Sequence, residues 1–482
     1  MVSDQDVRRA CSDCIGETFL AERVRKEGVE ADCSYCDRAL PTFTVNQLAD
    51  AVEEAFDVHY SVTAADPDVY QSMMMRDPEG NYTWYREGEE TLIAIMNAMD
   101  VSEEIAGDVQ AELEDRHGDF DSAAAGIETP FSSEAHYQEI MPTSEAWESG
   151  WRDFVKSVTS EVRFFSQTAT RQLGALFDDL DIMRTRSGRK IIVDAGPGTE
   201  LTSLFRARAF QSPIKLEAAL IRPNRDLGAP PAGMAAAGRM NAKGISAFYG
   251  ATTPHIALAE VRPPVGSEVA IAQFELTRPL RLLDLDALNE MHVTGSIFDP
   301  DYAVRLGRMK FLQRLSARLS RPVMPDDQET EYMPTQAVAD YLSSAGKVEL
   351  DGIKFPSVQA GGDGLNIVLF RKASRCAELE IPPGTEISVD SARQYAEGWE
   401  RGYSVTERRP KPAEATPASS DFDLKSFKPL DRQQYVDVDD RLPAMRVLTG
   451  SIAIHVVEAV RFETTEFNVD RRIWEQPEDL PF

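Results

Sequence analysis

Four of the five cysteines stand as two close pairs, Cys11-x2-Cys14 and Cys33-x2-Cys36, eighteen residues apart. No other feature limits so tightly what the start of this chain can fold into. A C-x2-C spacing puts two thiolates on one tight turn, and two such turns complete a tetrahedral four-sulfur site. Structural zinc is the favoured occupant; a mononuclear iron–sulfur centre or a redox pair are the alternatives. With all four positions filled by protein, no coordination site stays open, so this metal would fold the N-terminus rather than carry out chemistry. Disulfides are not expected without a secretory signal. Cys376 stands alone and reads as a small buried hydrophobe.

At 482 residues the chain exceeds one ordinary core and should divide into two to four domains. Its hydrophobic content of 42% supports a sizeable core. No apolar run is long enough to span a bilayer and no basic-then-apolar leader opens the sequence, so a cytoplasmic protein with no membrane partner is expected. The net charge of −29 is unevenly spread. Residues 1–150 carry nine Lys and Arg against 34 Asp and Glu, whereas residues 201–250 carry seven against two. Such a chain is a poor nucleic-acid binder, because neutralising phosphates needs a basic surface. The reversal at 201–250 marks where a small anion would bind.

Periodicity predicts an α+β protein. Helical spacing covers Thr18 to Lys26, Val45 to Phe56 (through Leu48, Val52 and Phe56), Thr91 to Met99 and Ser102 to Leu113. A longer helical pattern runs from Ser144 to about Leu180, with Trp147, Trp151, Phe154, Val158, Phe164 and Phe165 as core or interface aromatics. Beyond Ser187-Gly188 the texture turns to strands: Lys190 to Asp194, then Leu204 to Ala209 with Arg206 and Arg208 on one face. Residues Arg222 to Gly238 read as a mobile loop, Tyr302 to Leu319 and Thr335 to Ser344 as helices, and Asp351 to Phe370 as strand–turn–strand. Strands around Met445 to Leu448, Ile452 to Val457 and Val460 to Thr464 would close a sheet. The resulting plan is a four-cysteine knuckle (1–40), a helical domain (41–185), a β-sheet domain (190–380) and a C-terminal extension (381–482) with a flexible insertion at 407–421.

The chemistry concentrates between Gly238 and Pro263. Gly238 and Gly244 let the backbone turn tightly and approach a ligand closely. Arg239 offers a planar fork of donors suited to a diphosphate or carboxylate. Phe248 to Ala251 is a short strand whose Tyr249 could stack on a ring. Thr253-Pro254 opens a helix, with Thr as cap and Pro in the first turn. Glu260 falls at that helix's far end, where the helix dipole disfavours a carboxylate and some compensation is required. Either an arginine or a cationic ligand supplies it, or Glu260 merely pairs with Arg262 at the surface.

Residues about 200–375 resemble the RES domain family, bacterial toxins that consume NAD and whose fold is similar to ADP-ribosyltransferases. The family's first-strand arginine matches Arg206. Its GRxN-to-glutamate run matches Gly238, Arg239, Asn241, Gly244, Tyr249, Ala251 and Glu260. A later run matches Thr335, Gln336, Asp351, Gly352, Ile353, Ser357, Gly361, Asn366 and Phe370. Phe355 stands where an aromatic is usual, and Pro356 where a second serine is common. More loosely, residues 5–170 resemble the HEPN-like domain found before some RES domains. The catalytic HEPN signature puts an arginine four to six residues before a histidine. None of the six histidines (His59, His117, His136, His255, His292, His455) has one, so a non-catalytic N-terminal module is expected.

The resemblance implies cleavage of the nicotinamide–ribose bond of NAD by hydrolysis or phosphorolysis, depleting the cofactor. Glu260, Arg206 and Ser357 would be catalytic, with NAD bound by Arg206, Arg239, Asn241 and Tyr249. Transfer of ADP-ribose to a protein target shares the first half-reaction. A third reading is a non-enzymatic, zinc-anchored interaction protein. Toxins of this family are commonly held by a small antitoxin, which would be a further partner.

Overall fold

In the computed structural model the described residues are 7–77, 80–119, 128–162, 165–321, 323–357, 364–395, 398–410, 439–461 and 464–472. Contacts divide the chain into two compact units, residues 1–193, 238–242 and 281–355, and residues 194–237, 243–280 and 356–482.

The first unit opens with a three-stranded antiparallel sheet in which Ala39–Thr44 lies between Arg9–Cys11 and Val29–Asp32. The expected helices follow as Thr18–Glu27, Val45–His59, Thr91–Met99 and Glu103–His117. The second of these begins on a capping box: Thr44 Oγ1 accepts the Gln47 amide at 3.1 Å, and Gln47 Oε1 accepts the Thr44 amide at 3.0 Å. Leu48, Val52 and Phe56 then bury against Ile95, Met99 and Leu113, each large side chain contributing roughly 1.5–3 kcal/mol of transfer free energy.

The pattern from Ser144 to Leu180 is not one helix. It forms Glu145–Lys156, a π turn Ser157–Glu161 and Gln167–Phe177. Val162 leaves helical geometry at φ −132°, Phe165 takes φ 61°, and Ser166 Oγ restarts the ladder by accepting the Ala169 amide. Trp151, Phe154 and Val158 are buried as expected. Phe165 is instead 99% exposed, and Phe164 lies outside the described residues. The same unit holds the helices Pro300–Ser320 and Gln328–Asp340, the latter ending in a π turn Tyr341–Ala345. Leu280–Asp284 pairs in parallel with Gly352–Pro356.

The second unit is built on antiparallel strands in the order Met445–Val456, Glu268–Leu276, Ser203–Phe210, Phe248–Ala251 and Leu365–Leu369. The two strands expected at Met445 to Leu448 and Ile452 to Val457 are one continuous strand with a bulge opposite Ile271/Gln273, because both segments pair with the same neighbour. Residues 460, 461 and 464 belong to no strand, and 462–463 lie outside the described residues. A hairpin, Glu386–Tyr395 with Gly398–Arg408, runs into the start of the stretch expected to be a flexible insertion, so residues 407 and 408 are paired strand. Residues 411–421 of that insertion, like Gly361, lie outside the described residues. The stretch Arg222 to Gly238 carries a short helix, Pro223–Asp226.

Two features of this sheet position chemistry. The arginine-bearing strand Ser203–Phe210 pairs with Glu268–Leu276 at eight consecutive residues, but with Phe248–Ala251 only at Phe205↔Ala251. The sheet therefore parts beside Arg206. Alternation then sorts the side chains by face. Phe205, Ala207 and Ala209 share a face with Ala251, and the helix Pro254–Glu260 packs there through Ile256 and Ala257. Arg206 and Arg208 project from the opposite face.

Candidate functional site

The helix Pro254–Glu260 starts where the sequence places it. Thr253 Oγ1 accepts the Ile256 amide at 3.3 Å, with Pro254 in the first turn. Its last residue, Glu260, makes no ion pair with Arg262 among the described residues; the Arg262 backbone turns left-handed at φ 43°. Instead, Glu260 Oε1 accepts two hydrogen bonds, from Ser357 Oγ at 2.8 Å and from Asn366 Nδ2 at 2.7 Å. Oε2 takes no hydrogen bond among the described residues, and Glu260 itself is exposed. Both donors are fixed. Ser357 is fully buried and its amide bonds Gly364 O at 2.8 Å; Asn366 is 6% exposed and sits opposite Ala251 in the sheet. Gly364 has φ +142°, and a Cβ there would lie 1.8 Å from Ile256 Cδ1, so only glycine lets this turn close against the helix.

Asn366 is the residue that sequence reasoning leaves without a role. Its place in the family run was the available signal, and the strand register supplies the rest. Tyr249 shares the Asn366 face, two residues along from Ala251, with Val368 opposite it.

Arg206 lies on the other face, at the parting of the strands. Its Nη1 donates to Tyr249 O at 3.3 Å and its guanidinium sits 5.0 Å from the centre of the Phe248 ring. Burial, with Arg208 beside it, pushes the guanidinium down to about 10, so it stays cationic at neutral pH. It has no carboxylate partner among the described residues. Arg208, by contrast, donates to Asp226 O.

Arg239 and Asn241 belong to the first unit. The Arg239 guanidinium donates to the carbonyl of Leu319 at 2.6 Å and to that of Arg321, filling acceptors at the end of the helix Pro300–Ser320. Thr335 Oγ1 and Gln336 Nε2 hold the carbonyls of Arg239 and Gly238 at 2.6 and 2.8 Å. Asn241 is 3% exposed and its Nδ2 donates to Ala242 O. The two family runs thus meet twice, Thr335 and Gln336 at the turn 238–242, and Ser357 and Asn366 at Glu260.

The four cysteines come from the end of Arg9–Cys11 and from the turn joining Val29–Asp32 to Ala39–Thr44. Their sulfurs lie within 4.8 Å of one another, with Cys11–Cys14 and Cys11–Cys36 at 3.6 Å and Cys14–Cys33 at 3.8 Å. A tetrahedral ion with metal–sulfur bonds of about 2.3 Å needs sulfurs about 3.8 Å apart. The cage therefore has the size for one. Cys33 Sγ accepts the Cys11 amide, and Arg38 Nε donates to Cys36 Sγ, drawing that thiol down to about 6. Burial pushes Cys11 and Cys14 the other way. Cys376 is buried, as a small hydrophobe would be.

Elsewhere in the first unit, Arg116 is bound by Asp50, Glu53 and Glu112, and His117 Nε2 lies 2.8 Å from Glu53 Oε1. Both are occupied by carboxylates. No described helix is long and apolar enough to cross a membrane.

In the second unit, then, Glu260 is held through one oxygen by two neutral donors, and the strand pairing is interrupted beside Arg206, which has no carboxylate partner among the described residues. Comparison with family models shows that the chain carries a RES domain, matched over residues 204–392, preceded by a HEPN/RES N-terminal domain 1 matched over residues 26–172. RES domains are associated with NAD-related, toxin-type enzymatic activity. No curated protein and no solved structure matches the chain.

Proposed function

We propose that the RES domain binds NAD and breaks the bond between nicotinamide and ribose. One observation carries this reading: Glu260 is held at Oε1 by Ser357 and Asn366 while Oε2 has no partner among the described residues. As nicotinamide departs with the bonding electron pair, the ribose gains oxocarbenium character. A fixed carboxylate oxygen facing that carbon stabilises the developing positive charge. Water then adds to the ribose carbon and releases a proton, so NAD and water yield nicotinamide, ADP-ribose and a proton. Glu260 is the catalytic group. Ser357 and Asn366 are positioning residues that hold its carboxylate in one rotamer.

Arg206 supports an anionic ligand, because a buried cation without a counter-charge is unfavourable until an anion reaches it. Its proposed partner is the diphosphate, and Tyr249 is proposed to stack on a ring of the ligand. Arg239 and Asn241 are proposed to act by ordering the turn 238–242, since the Arg239 guanidinium is already engaged by two carbonyls. The cysteine cage is proposed to hold zinc, which would supply folding stability to the first unit and no reactive position.

The test is to incubate the full chain with NAD and follow free nicotinamide and ADP-ribose. Glu260→Gln should abolish most of the release. Release that continues unchanged in this variant refutes the assignment. Radiolabel from NAD found on protein instead of in free ADP-ribose would assign the same site to transfer.

A further inference from the structure

The first unit carries a groove whose residues are distant from Glu260 in sequence and different in chemistry. A groove of about 830 Å³ runs between the helices Thr18–Glu27 and Val45–His59 and the start of Pro300–Ser320. Its wall includes His59, which is 3% exposed and makes no side-chain hydrogen bond, its ring stacking on Tyr302 at 5.7 Å. A buried imidazole normally satisfies its donor and acceptor; here neither nitrogen has a hydrogen-bond partner among the described residues, and the residue lines the groove. Two exposed carboxylates, Glu54 and Asp57, lie one helical turn apart on the same wall, and neither makes an ion pair or hydrogen bond among the described residues. The other acids on the wall are matched: Glu22 by Lys26, Glu27 by Arg23 and Asp299 by Arg305. Glu54 and Asp57 are thus left without a counter-charge among the described residues.

A second depression of about 650 Å³ shares Asp57, Val58 and Ala303 with the first, so the two form one track. Its floor is apolar and open. Val58, Ile140, Met141 and Val304 are 41%, 40%, 52% and 56% exposed, a run of large apolar side chains of the kind that marks a binding surface. We propose that this track receives a basic, amphipathic peptide segment of a protein partner, with an ammonium or guanidinium group between Glu54 and Asp57 and apolar side chains along Val58, Ile140 and Met141. The length of the track and its change from acidic to apolar favour a peptide over a small cation. The charge of residues 1–150 opposes nucleic acid and anionic lipid, and the net −29 of the chain opposes a second copy.

The probes are short fluorescein-labelled helical peptides with a Lys/Leu pattern, a Glu/Leu pattern and a Lys/Ser pattern, titrated against the full chain by anisotropy. The Lys/Leu peptide should bind, and the double variant Glu54→Gln/Asp57→Asn should weaken it about tenfold. Val58→Ser should weaken it independently, and Glu30→Lys, an exposed reversal elsewhere, should leave it unchanged. The His59 imidazole NMR signals should shift on binding. The proposal is overturned by failure of the Lys/Leu peptide to bind, by equal binding of either control peptide, or by loss of binding in Glu30→Lys to the same degree. Competition by spermidine alone to the same endpoint would assign the site to a small cation instead. Circular dichroism of each variant separates lost binding from lost folding.

Discussion

Removing the Ser357 hydroxyl tests the proposed site more sharply than removing Glu260. Ser357 Oγ and Asn366 Nδ2 approach the same carboxylate oxygen at 2.8 and 2.7 Å, and nothing else holds Glu260 in the described residues. A hydrogen bond to a charged group contributes about 1.5–3 kcal/mol. If Ser357 acts by fixing the carboxylate for the transition state, that energy converts to a fall in kcat of about 10- to 150-fold for Ser357→Ala. KM should change little, because neither the diphosphate nor the rings of NAD are assigned to this side chain. The fold should survive: one small buried hydroxyl is lost and the Ser357 amide still bonds Gly364 O.

The decisive measurement is a double-mutant cycle read by nicotinamide release. Glu260→Gln keeps the shape and both donors but removes the charge, at an expected loss of about 10²- to 10³-fold. Because Ser357 works through Glu260, adding Ser357→Ala in the Glu260→Gln background should cost almost nothing more. Two outcomes refute the reasoning. One is an Ser357→Ala enzyme that differs only in KM, which would make Ser357 a ligand contact. The other is full additivity of the two changes, which would make them independent.

Gly364→Ala should lower the melting temperature and kcat together, since the new methyl would lie 1.8 Å from Ile256 Cδ1 in a strained backbone and must displace the helix carrying Glu260; differential scanning fluorimetry beside turnover checks it. Zinc measured by mass spectrometry should be about one ion per chain in the wild type and near zero in Cys33→Ser/Cys36→Ser, with a loss of thermal stability. His59 is held below the ordinary imidazole value by burial. The unfolded chain therefore takes up a proton that the folded chain resists, and stability falls as pH drops below about 6.5. His59→Phe should show a shallower decline in urea midpoint over that window than the wild type.

What the sequence disclosed was local chemistry. Cys11-x2-Cys14 and Cys33-x2-Cys36 predict a cage because each turn is a few residues long. Thr253-Pro254 predicts a helix start because a cap and a fixed φ act within one turn. The strand Glu268–Leu276 is not legible in the same way: it is buried on both faces, so EVAIAQFEL shows no alternation. The break in the helical run at Val162 to Ser166 is likewise invisible to a periodicity that continues through it. Arg239 is the instructive case among the site residues. Its surroundings in sequence point to an anion, yet carbonyls 80 and 82 residues away engage its guanidinium. Only tertiary structure decides which acceptor an arginine meets.

The placement of Glu260 against its own helix dipole posed a physical question that the fold answers in an informative way. An arginine there would have satisfied the carboxylate and cancelled its charge. The chain supplies two neutral donors instead, both on Oε1, which fix the rotamer and leave Oε2 without a donor among the described residues. In the same unit Arg206 keeps a positive charge that no carboxylate answers among the described residues, at the point where two strands part. Opposite charges that do not neutralise each other are unfavourable in a resting protein and useful in a ligand site. Under the proposed NAD reading, Glu260 would face the ribose carbon that becomes cationic as nicotinamide leaves, and Arg206, on the opposite face of the sheet, would meet the diphosphate.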